Sequence, residues 1–276
     1  MSTSQNKAKE LQALHLGPSP LLLPNAWDAV SARIFENAGF RAVGTTSAGI
    51  AAALGMPDGE RVSREEMLAV VARIVRAVSL PVSADIEAGY GATIAQVRET
   101  ARAVLQTGAV GVNIEDGTGT PEPRLTDLAL QVEKIQAFRE IAEAEKVSLV
   151  INARVDVFWL AIGEPADRFE MAVQRANAYR QAGADCLFLP GVNEAQMIAQ
   201  LIRAIHGPIN ILAAVGTPSI SELARLGVAR VSVGSGPMRA TVALTRRIAR
   251  ELLEQGTYTT WTENTLSYAE LTQILR

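Results

Sequence analysis

Acidic side chains, one arginine and a run of small hydroxyl residues stand where short apolar segments end in this 276-residue chain. Asp85 and Glu87 close the segment Val82–Glu87, Glu115 and Asp116 close Gly111–Asp116, and Arg154 and Asp156 close Leu149–Asp156. Thr45, Thr46, Ser47, Ala48 and Gly49 follow from Ala42. If these segments are strands, residues two apart face one side, so Asp85 pairs with Glu87, Asn113 with Glu115, and Asn152 with Arg154. Three or four carboxylates converging on one mouth repel one another unless a cation joins them. A hard divalent ion, Mg²⁺ with Mn²⁺ as a substitute, bound by one or two carboxylates plus water and substrate oxygens, answers that problem. The alternative is that the acids cap helices or pair with basic groups on the rim. Arg154 is either a structural ion pair or the binder of an anionic substrate group. The hydroxyls and backbone N–H groups of Thr45–Gly49 suit a carboxylate cradle.

Composition narrows the chemistry. One Cys and two His exclude a disulfide framework, a Cys-cluster zinc site and a histidine-rich metal centre, so oxygen ligands must carry any metal. The sole Cys186 reads as a core residue, and His15 and His206 lie away from the acidic segments. A net charge of −3 excludes a global attraction to nucleic acid or an anionic membrane. No apolar run approaches the roughly 18 residues of a membrane span, and the N-terminus lacks a signal-peptide core. The expectation is a cytoplasmic protein whose partner is a small molecule.

The segments that carry these groups recur. Strands are expected at Leu21–Ala26, Ala42–Ser47, Val82–Glu87, Gly111–Asp116, Leu149–Asp156, Cys186–Gly191, Asn210–Val215 and Arg230–Ser235, spaced by roughly 30 residues as in βαβ units. Helices are expected between them, at Trp27–Ala38, Ser63–Val78, Thr93–Thr107, Thr126–Lys146, Pro165–Ala182, Asn193–His206, Pro218–Leu226 and Pro237–Gln255. Ser63 with Glu66 forms a capping box, and Gly39, Gly108, Gly183 and Gly227 sit where left-handed C-caps belong. Strands apolar on both faces imply a parallel sheet covered by helices. Eight such units with no change of composition predict an α/β fold, a (β/α)8 TIM-type barrel over residues 1–256, with its chemistry at the C-terminal strand ends. Residues 257–276 form a helical tail, with a short helix over Ser267–Leu275, that packs on the barrel or on a neighbouring subunit.

The ordered set Asp85–Gly91, Glu115-Asp116 and Ala153–Asp156, with Pro24–Asp28 and Leu54–Asp58, resembles the isocitrate lyase and phosphoenolpyruvate mutase superfamily from about Leu21 to Leu253. The resemblance implies a Mg²⁺-dependent barrel acting on α-keto or α-hydroxy acids through an enolate-like intermediate. It implies Asp85 as the direct metal ligand, with Glu87 and Glu115 holding metal-bound waters. Arg154 would bind a substrate carboxylate, Asp58 would lie at the edge of the site, and Thr46, Ser47, Ala48 and Gly49 would cradle another anionic group. Arg154, Asp58 and Tyr90 are thereby the candidate catalytic side chains, Tyr90 either closing the site or acting as a packing plug. It further implies a homo-oligomer, a dimer or tetramer, whose subunits exchange a late helix within Pro237–Arg276.

Departures from that pattern bear on the reaction. The isocitrate-type lyases carry a Lys-Lys/Arg-Cys-Gly-His motif after the Glu-Asp pair; here the loop Gly117–Arg124 holds no Cys, Lys or His. Phosphonopyruvate chemistry loses its usual loop Lys and Asn, with Thr118 or Thr120 as a stand-in. Decarboxylation asks for less, because CO₂ departs neutral and water can supply the proton. The expected function is a lyase cleaving a C–C bond of a small di- or tricarboxylic keto or hydroxy acid, with oxaloacetate-like decarboxylation leading. P–C bond hydrolysis or mutation, and non-catalytic binding of a 2-keto acid, are the alternatives. Arg124 is either a solvated loop residue or a second carboxylate binder.

Overall fold

The computed structural model describes residues 3–118, 122, 124–263 and 265–276. The elements begin with α1 (Thr3–Leu14), β1 (Leu21–Leu23), β2 (Asn25–Ala26), α2 (Ala29–Asn37), β3 (Val43–Thr45), α3 (Ser47–Ala53), α4 (Arg64–Ala77), β4 (Val82–Asp85) and α5 (Ile94–Thr107). There follow β5 (Gly111–Glu115), β6 (Gly117–Thr118), β7 (Arg124–Leu125), α6 (Leu128–Ala144), β8 (Val150–Arg154), α7 (Arg168–Gln181), β9 (Cys186–Phe188) and α8 (Ala195–Ala204). The chain ends through β10 (Ile209–Leu212), α9 (Ile220–Leu226), β11 (Arg230–Ser232), α10 (Gly236–Glu254), α11 (Thr259–Thr262) and α12 (Tyr268–Leu275).

All barrel strands pair in parallel in the order β1-β11-β10-β9-β8-β5-β4-β3-β2, as the sequence pattern predicts for a (β/α)8 barrel. β1 and β2 are two halves of one strand broken at Pro24, which has no N–H to donate. The first half pairs with β11 (Leu21↔Arg230) and the second with β3 (Asn25↔Gly44), so this strand closes the ring. Asn25 rivets the seam: its Nδ2 donates to the Thr45 carbonyl at 2.8 Å, and its Oδ1 accepts from Val233 N at 3.0 Å and Gly234 N at 2.9 Å.

Local signals explain the helices that cover the sheet. Asp28, Ser63, Thr93 and Ser219 each close a reciprocal capping box, and Gly108 (φ 87°) and Gly227 (φ 93°) end helices in the left-handed region. The main core lies between these helices and the outward strand faces, with Met67, Val71, Ile86, Ile114, Ile135, Phe138 and Tyr179 among its large members.

Three elements were not expected. No element is expected before Leu21, yet α1 buries Ala8, Leu11 and Leu14 in a cluster with Leu21, Leu23, Ala42, Val110 and Val150 and so closes the N-terminal end of the barrel. Its packing is close enough that a Cβ at Gly111 would stand 2.8 Å from Leu11 Cδ2. α3 begins directly after β3, and a short antiparallel hairpin joins β6 to β7. β3, β4, β8, β9, β10 and β11 also stop two or three residues short of the expected strand ends. α12 lies against α2, whereas α10 buries only Met238 and Glu251. Among the described residues no helix is long and apolar enough to cross a membrane.

Because Leu11 is fully buried at the barrel floor, Leu11→Ala should lower the unfolding free energy by about 2–5 kcal/mol, read from urea denaturation. A loss below about 1 kcal/mol would mean that α1 contributes little to closing the barrel.

Candidate functional site

The site is built at the C-terminal ends of β3, β4, β5 and β8. Asp85 ends β4, and both of its oxygens are held: Oδ2 accepts from Ser47 N at 2.8 Å and Oδ1 from Asn113 Nδ2 at 2.9 Å. Its own N–H donates to Thr45 Oγ1 at 2.8 Å. Thr46 caps α3 and its hydroxyl accepts from Gly49 N at 3.3 Å. Two of the amides of the expected anion cradle already have partners within the chain. Of the amides of Ser47, Ala48 and Gly49, the first serves Asp85 and the third serves Thr46, so the segment braces the site more than it opens toward a ligand.

Glu87 also departs from expectation. It lies beyond the end of β4 with φ 51°, so simple strand alternation from Asp85 does not place it. Glu87, Gly89 (φ 103°) and Tyr90 (φ 51°) make a left-handed turn that costs non-glycine residues of order 1–3 kcal/mol each. Surrounding groups over-determine it. Tyr90 OH donates to Glu87 Oε1 at 2.8 Å, the Glu60 N–H donates to Glu87 Oε2, and Tyr90 N donates to Glu60 Oε1 at 2.8 Å. From α6, Lys134 Nζ donates to the Ala88 carbonyl at 2.9 Å and Gln131 Nε2 to the Glu115 carbonyl at 3.1 Å.

Arg154 is the cation at this mouth. Its Nη1 lies 2.8 Å from Glu115 Oε2 and its Nε donates to Asp156 Oδ1 at 2.6 Å, with Trp159 and Phe188 rings each 5.8 Å from the guanidinium carbon. Burial works against its charge, but Glu115 and Asp156 outweigh that and raise its pKa. Asp116 points elsewhere. Fully buried, it accepts from Asp156 N at 2.8 Å, Tyr179 OH at 2.7 Å and Arg175 at 3.1 Å, tying β5 and β8 to α7.

The carboxylates carry more negative charge than Arg154 can offset. Burial pushes Glu87 up to about 7, with repulsion from Asp58 and Asp85 adding and the Tyr90 and Glu60 hydrogen bonds opposing. Burial likewise lifts Glu115 well above the usual carboxylate range despite Arg154. Desolvation and then Asp85 raise Asp58, while the Gly59 amide, the Ser47 hydroxyl and Arg154 act in the other direction. Burial and the Glu87 charge raise Tyr90, which keeps its hydroxyl a proton donor. Among the described residues no three His, Cys, Asp or Glu side chains converge as a direct metal cage. The donor set fits a hard ion held by few protein oxygens and completed by water, since Asp85 keeps lone pairs beyond its two hydrogen bonds.

Thr46, Ser47, Asp58, Asp85, Glu87, Tyr90, Glu115 and Arg154 are thus gathered at one end of the barrel. Ala48 and Gly49 lie in the first turn of α3. Glu60, Gln131 and Lys134 were not expected; the last two break the buried face of α6 beside Ile135 and Phe138, and that break is the signal that could have found them. Arg124, at the start of β7, is exposed and pairs with Glu122 at 2.6 Å, and Cys186 is a buried thiol pushed up to about 12 by desolvation. Gly119, Thr120, Pro121 and Pro123 of the loop after Glu115-Asp116 lie outside the described residues.

A carboxyl raised in the folded state from 4.5 to about 7 contributes stability below pH 4.5 that is lost as pH rises through 7. In the presence of a chelator, the unfolding free energy of the native chain should therefore fall between pH 4.5 and 7 more steeply than that of Glu87→Gln, read by denaturant titration at both ends of the window. Equal slopes would remove Glu87 as the source.

Residues 11–253 match the phosphoenolpyruvate phosphomutase family. The chain is 32% identical to an oxaloacetate decarboxylase of Rhodopseudomonas palustris (strain BisA53) over 90% of this chain and 84% of the relative. It is 29% identical to a 2-methylisocitrate lyase of Escherichia coli (strain K12), over 90% of this chain and 85% of the relative. The crystal structure of a Burkholderia cenocepacia J2315 protein, provisionally assigned as a lyase/mutase, superposes with a TM-score of 0.91 at 37% identity, covering 99% of this chain and 97% of that one. The barrel, the acidic mouth with its arginine and this match over most of the length agree: the chain belongs to the phosphoenolpyruvate phosphomutase family, within the isocitrate lyase and phosphoenolpyruvate mutase superfamily.

Proposed function

We propose that this chain is a Mg²⁺-dependent lyase, with Mn²⁺ as a substitute, that cleaves a C–C bond of a small α-keto or α-hydroxy di- or tricarboxylic acid. Decarboxylation of an oxaloacetate-like acid is the leading case. The observation that carries this reading is the set of raised carboxylates Asp58, Glu87 and Glu115 around a doubly held Asp85, opposite Arg154. Such a set accommodates a divalent cation and an anionic substrate together, and each relieves charge that the other leaves.

When bound, Mg²⁺ supplies Lewis-acid stabilisation of developing negative charge on a substrate oxygen. Asp85 is the proposed direct ligand, with its carboxylate plane set by Ser47 and Asn113. Glu87 and Glu115 would hold waters bound to that ion. Arg154, fixed by Glu115 and Asp156 and flanked by Trp159 and Phe188, presents its remaining N–H groups to a substrate carboxylate. In decarboxylation the breaking C–C bond leaves its electron pair on the keto acid as an enolate and releases CO₂, and a proton from water completes the keto product. Tyr90, whose hydroxyl is held by Glu87, can relay that proton at the mouth. The absence of Cys, Lys and His from Gly117–Arg124 suits a reaction that needs no loop acid.

We further propose a homo-oligomer, a dimer or tetramer. α10 runs for 19 residues with only Met238 and Glu251 buried, and Val242, Leu252 and Leu253 are exposed along it, which suits a face covered by a second copy. Sedimentation of the intact chain should give a mass above 29.4 kDa, and a monomer at micromolar concentration removes this part of the reading.

With oxaloacetate and Mg²⁺, pyruvate and CO₂ should form, and Asp85→Ala should lower kcat/KM by about a thousandfold, equivalent to roughly 4 kcal/mol. Arg154→Lys keeps the charge but loses the planar fork, so the substrate KM should rise by about tenfold with Mg²⁺ half-saturation unchanged. Phosphate released from phosphonopyruvate instead would assign P–C chemistry to the same site. Ligand-induced stabilisation by oxalate without turnover of any substrate would assign a binding protein.

A further inference from the structure

We infer that Arg230, a buried residue of the barrel interior, is a positioning residue for Asp85, acting through an internal water and the amides of Asn152 and Asn113. The inference rests on the reading of Asp85 as the metal ligand.

Two links of this relay are direct. Asn113 Nδ2 donates to Asp85 Oδ1 at 2.9 Å, and Asn152 Nδ2 donates to Asn113 Oδ1 at 2.8 Å. The carboxylate fixes the polarity. Asp85 can only accept, so Asn113 must turn its NH₂ toward it and its oxygen away, and Asn152 must follow suit. The chain of amides therefore ends in an acceptor, Asn152 Oδ1, which is fully buried and has no partner among the described residues.

A donor of matching character lies in the same interior. Arg230 is 2% exposed, and its Nε and Nη1 have no partner among the described residues; an orphaned guanidinium is costly to bury. Its position on β11 faces inward: Asn210 and Ser232, which flank it in register and along the strand, bond side chain to side chain at 3.2 Å inside the barrel. Cys186 stands opposite Asn152 in the register, and the Asp85 charge lies near enough to Arg230 to favour its cation. Burial lowers the guanidinium to about 10, which leaves it a cation at neutral pH.

Other unpartnered groups complete the set. His15 Nδ1 meets the Leu11 carbonyl at 2.8 Å, and desolvation followed by Arg230 lowers the ring to about 4, so the neutral ring presents Nε2 as an unpartnered acceptor. Ser83 Oγ is also buried without a partner, two residues before Asp85 on β4. Unused donors on Arg230 and unused acceptors on Asn152 and His15 are what a buried water reconciles, since it accepts from the guanidinium and donates to both oxygen and nitrogen. A cation at one end and a carboxylate at the other polarise every intervening amide in one sense. The result is an Asp85 carboxylate held in one orientation from within the barrel. Groups bonded directly to a metal's ligands commonly change metal affinity 10–100-fold, and Arg230, three links beyond Asn113, is expected at the low end of that range.

The test uses the full chain. A high-resolution crystal structure should show a water within hydrogen-bond distance of Asn152 Oδ1 and Arg230; a direct apolar packing of these atoms with no water overturns the relay whatever the metal does. Calorimetric titration of Mn²⁺ into chelator-treated protein should show Arg230→Met binding about tenfold more weakly than wild type, with an unchanged or higher melting temperature. Arg230→Lys, which keeps the cation, should stay within about threefold and serves if Arg230→Met does not fold. Unchanged Mn²⁺ affinity in folded Arg230→Met overturns the proposal while the Asp85 reading stands. Wild-type protein that binds no divalent ion overturns the Asp85 reading instead, and that result is visible before any variant is compared.

Discussion

The mouth of this barrel holds more buried negative charge than its own cation can balance, and much of the surrounding structure follows from that constraint. Asp58, Asp85, Glu87 and Glu115 share the space with the Arg154 guanidinium, which is already divided between Glu115 and Asp156. Burial alone pushes Glu87 and Glu115 toward protonation. A pocket meant only for stability would replace such acids with apolar groups, since buried ion pairs seldom repay their desolvation. Here the acids are kept and individually held, which is the condition of a site prepared for further charge. Family membership supports the same reading through relatives that act on small acids.

Holding those acids requires strained backbone, and the strain is met by neighbours remote in sequence. The left-handed turn at Glu87–Tyr90 is fastened on one side by Glu60, from the segment between α3 and α4, and on the other by Lys134 of α6. Gln131, one turn before Lys134, fastens Glu115 from the same helix. One helix thus registers two acidic strand ends against each other. Lys134 does this at the cost of burial, which lowers its pKa, with Glu60 the charge that favours its protonated form. The turn and its fasteners are a unit, so a change at α6 reaches the acids without touching them.

What was legible in the sequence divides along a physical line. The eight strands and their covering helices follow from period and punctuation: apolar runs, capping boxes at Ser63 and Thr93, and glycines such as Gly108 and Gly227 at helix ends. Residues at strand ends were legible because the fold dictates where chemistry collects, which brought Asp85, Glu115 and Arg154 into view. Alternation failed at Glu87 because β4 stops at Asp85 and a positive φ re-aims the next carboxylate. α1 was missed because its apolar residues, Ala8, Leu11 and Leu14, are few among polar ones, and one narrow stripe suffices to cover a barrel floor. The partners of the Ser47 and Gly49 amides were not legible, because both N–H groups look free in a sequence and only the folded chain shows that Asp85 and Thr46 take them.

The barrel interior joins the two ends of the molecule in a way no local pattern announces. TIM-type interiors are usually filled by branched apolar side chains, yet this one sets Asn113, Asn152, Asn210, Ser232 and Arg230 beneath the acidic mouth. Such residues weaken a core unless each finds a partner. Where the partners are present, at Asp85–Asn113–Asn152 and Asn210–Ser232, the amides run toward the mouth or cross between neighbouring strands. The groups left over, on Arg230, Asn152, Ser83 and His15, are complementary in donor and acceptor character rather than scattered. The floor closed by α1 and the site opened by β4, β5 and β8 are thereby parts of one polar column. The charge problem at the mouth is carried down through that column, and the cation that faces it from below is Arg230.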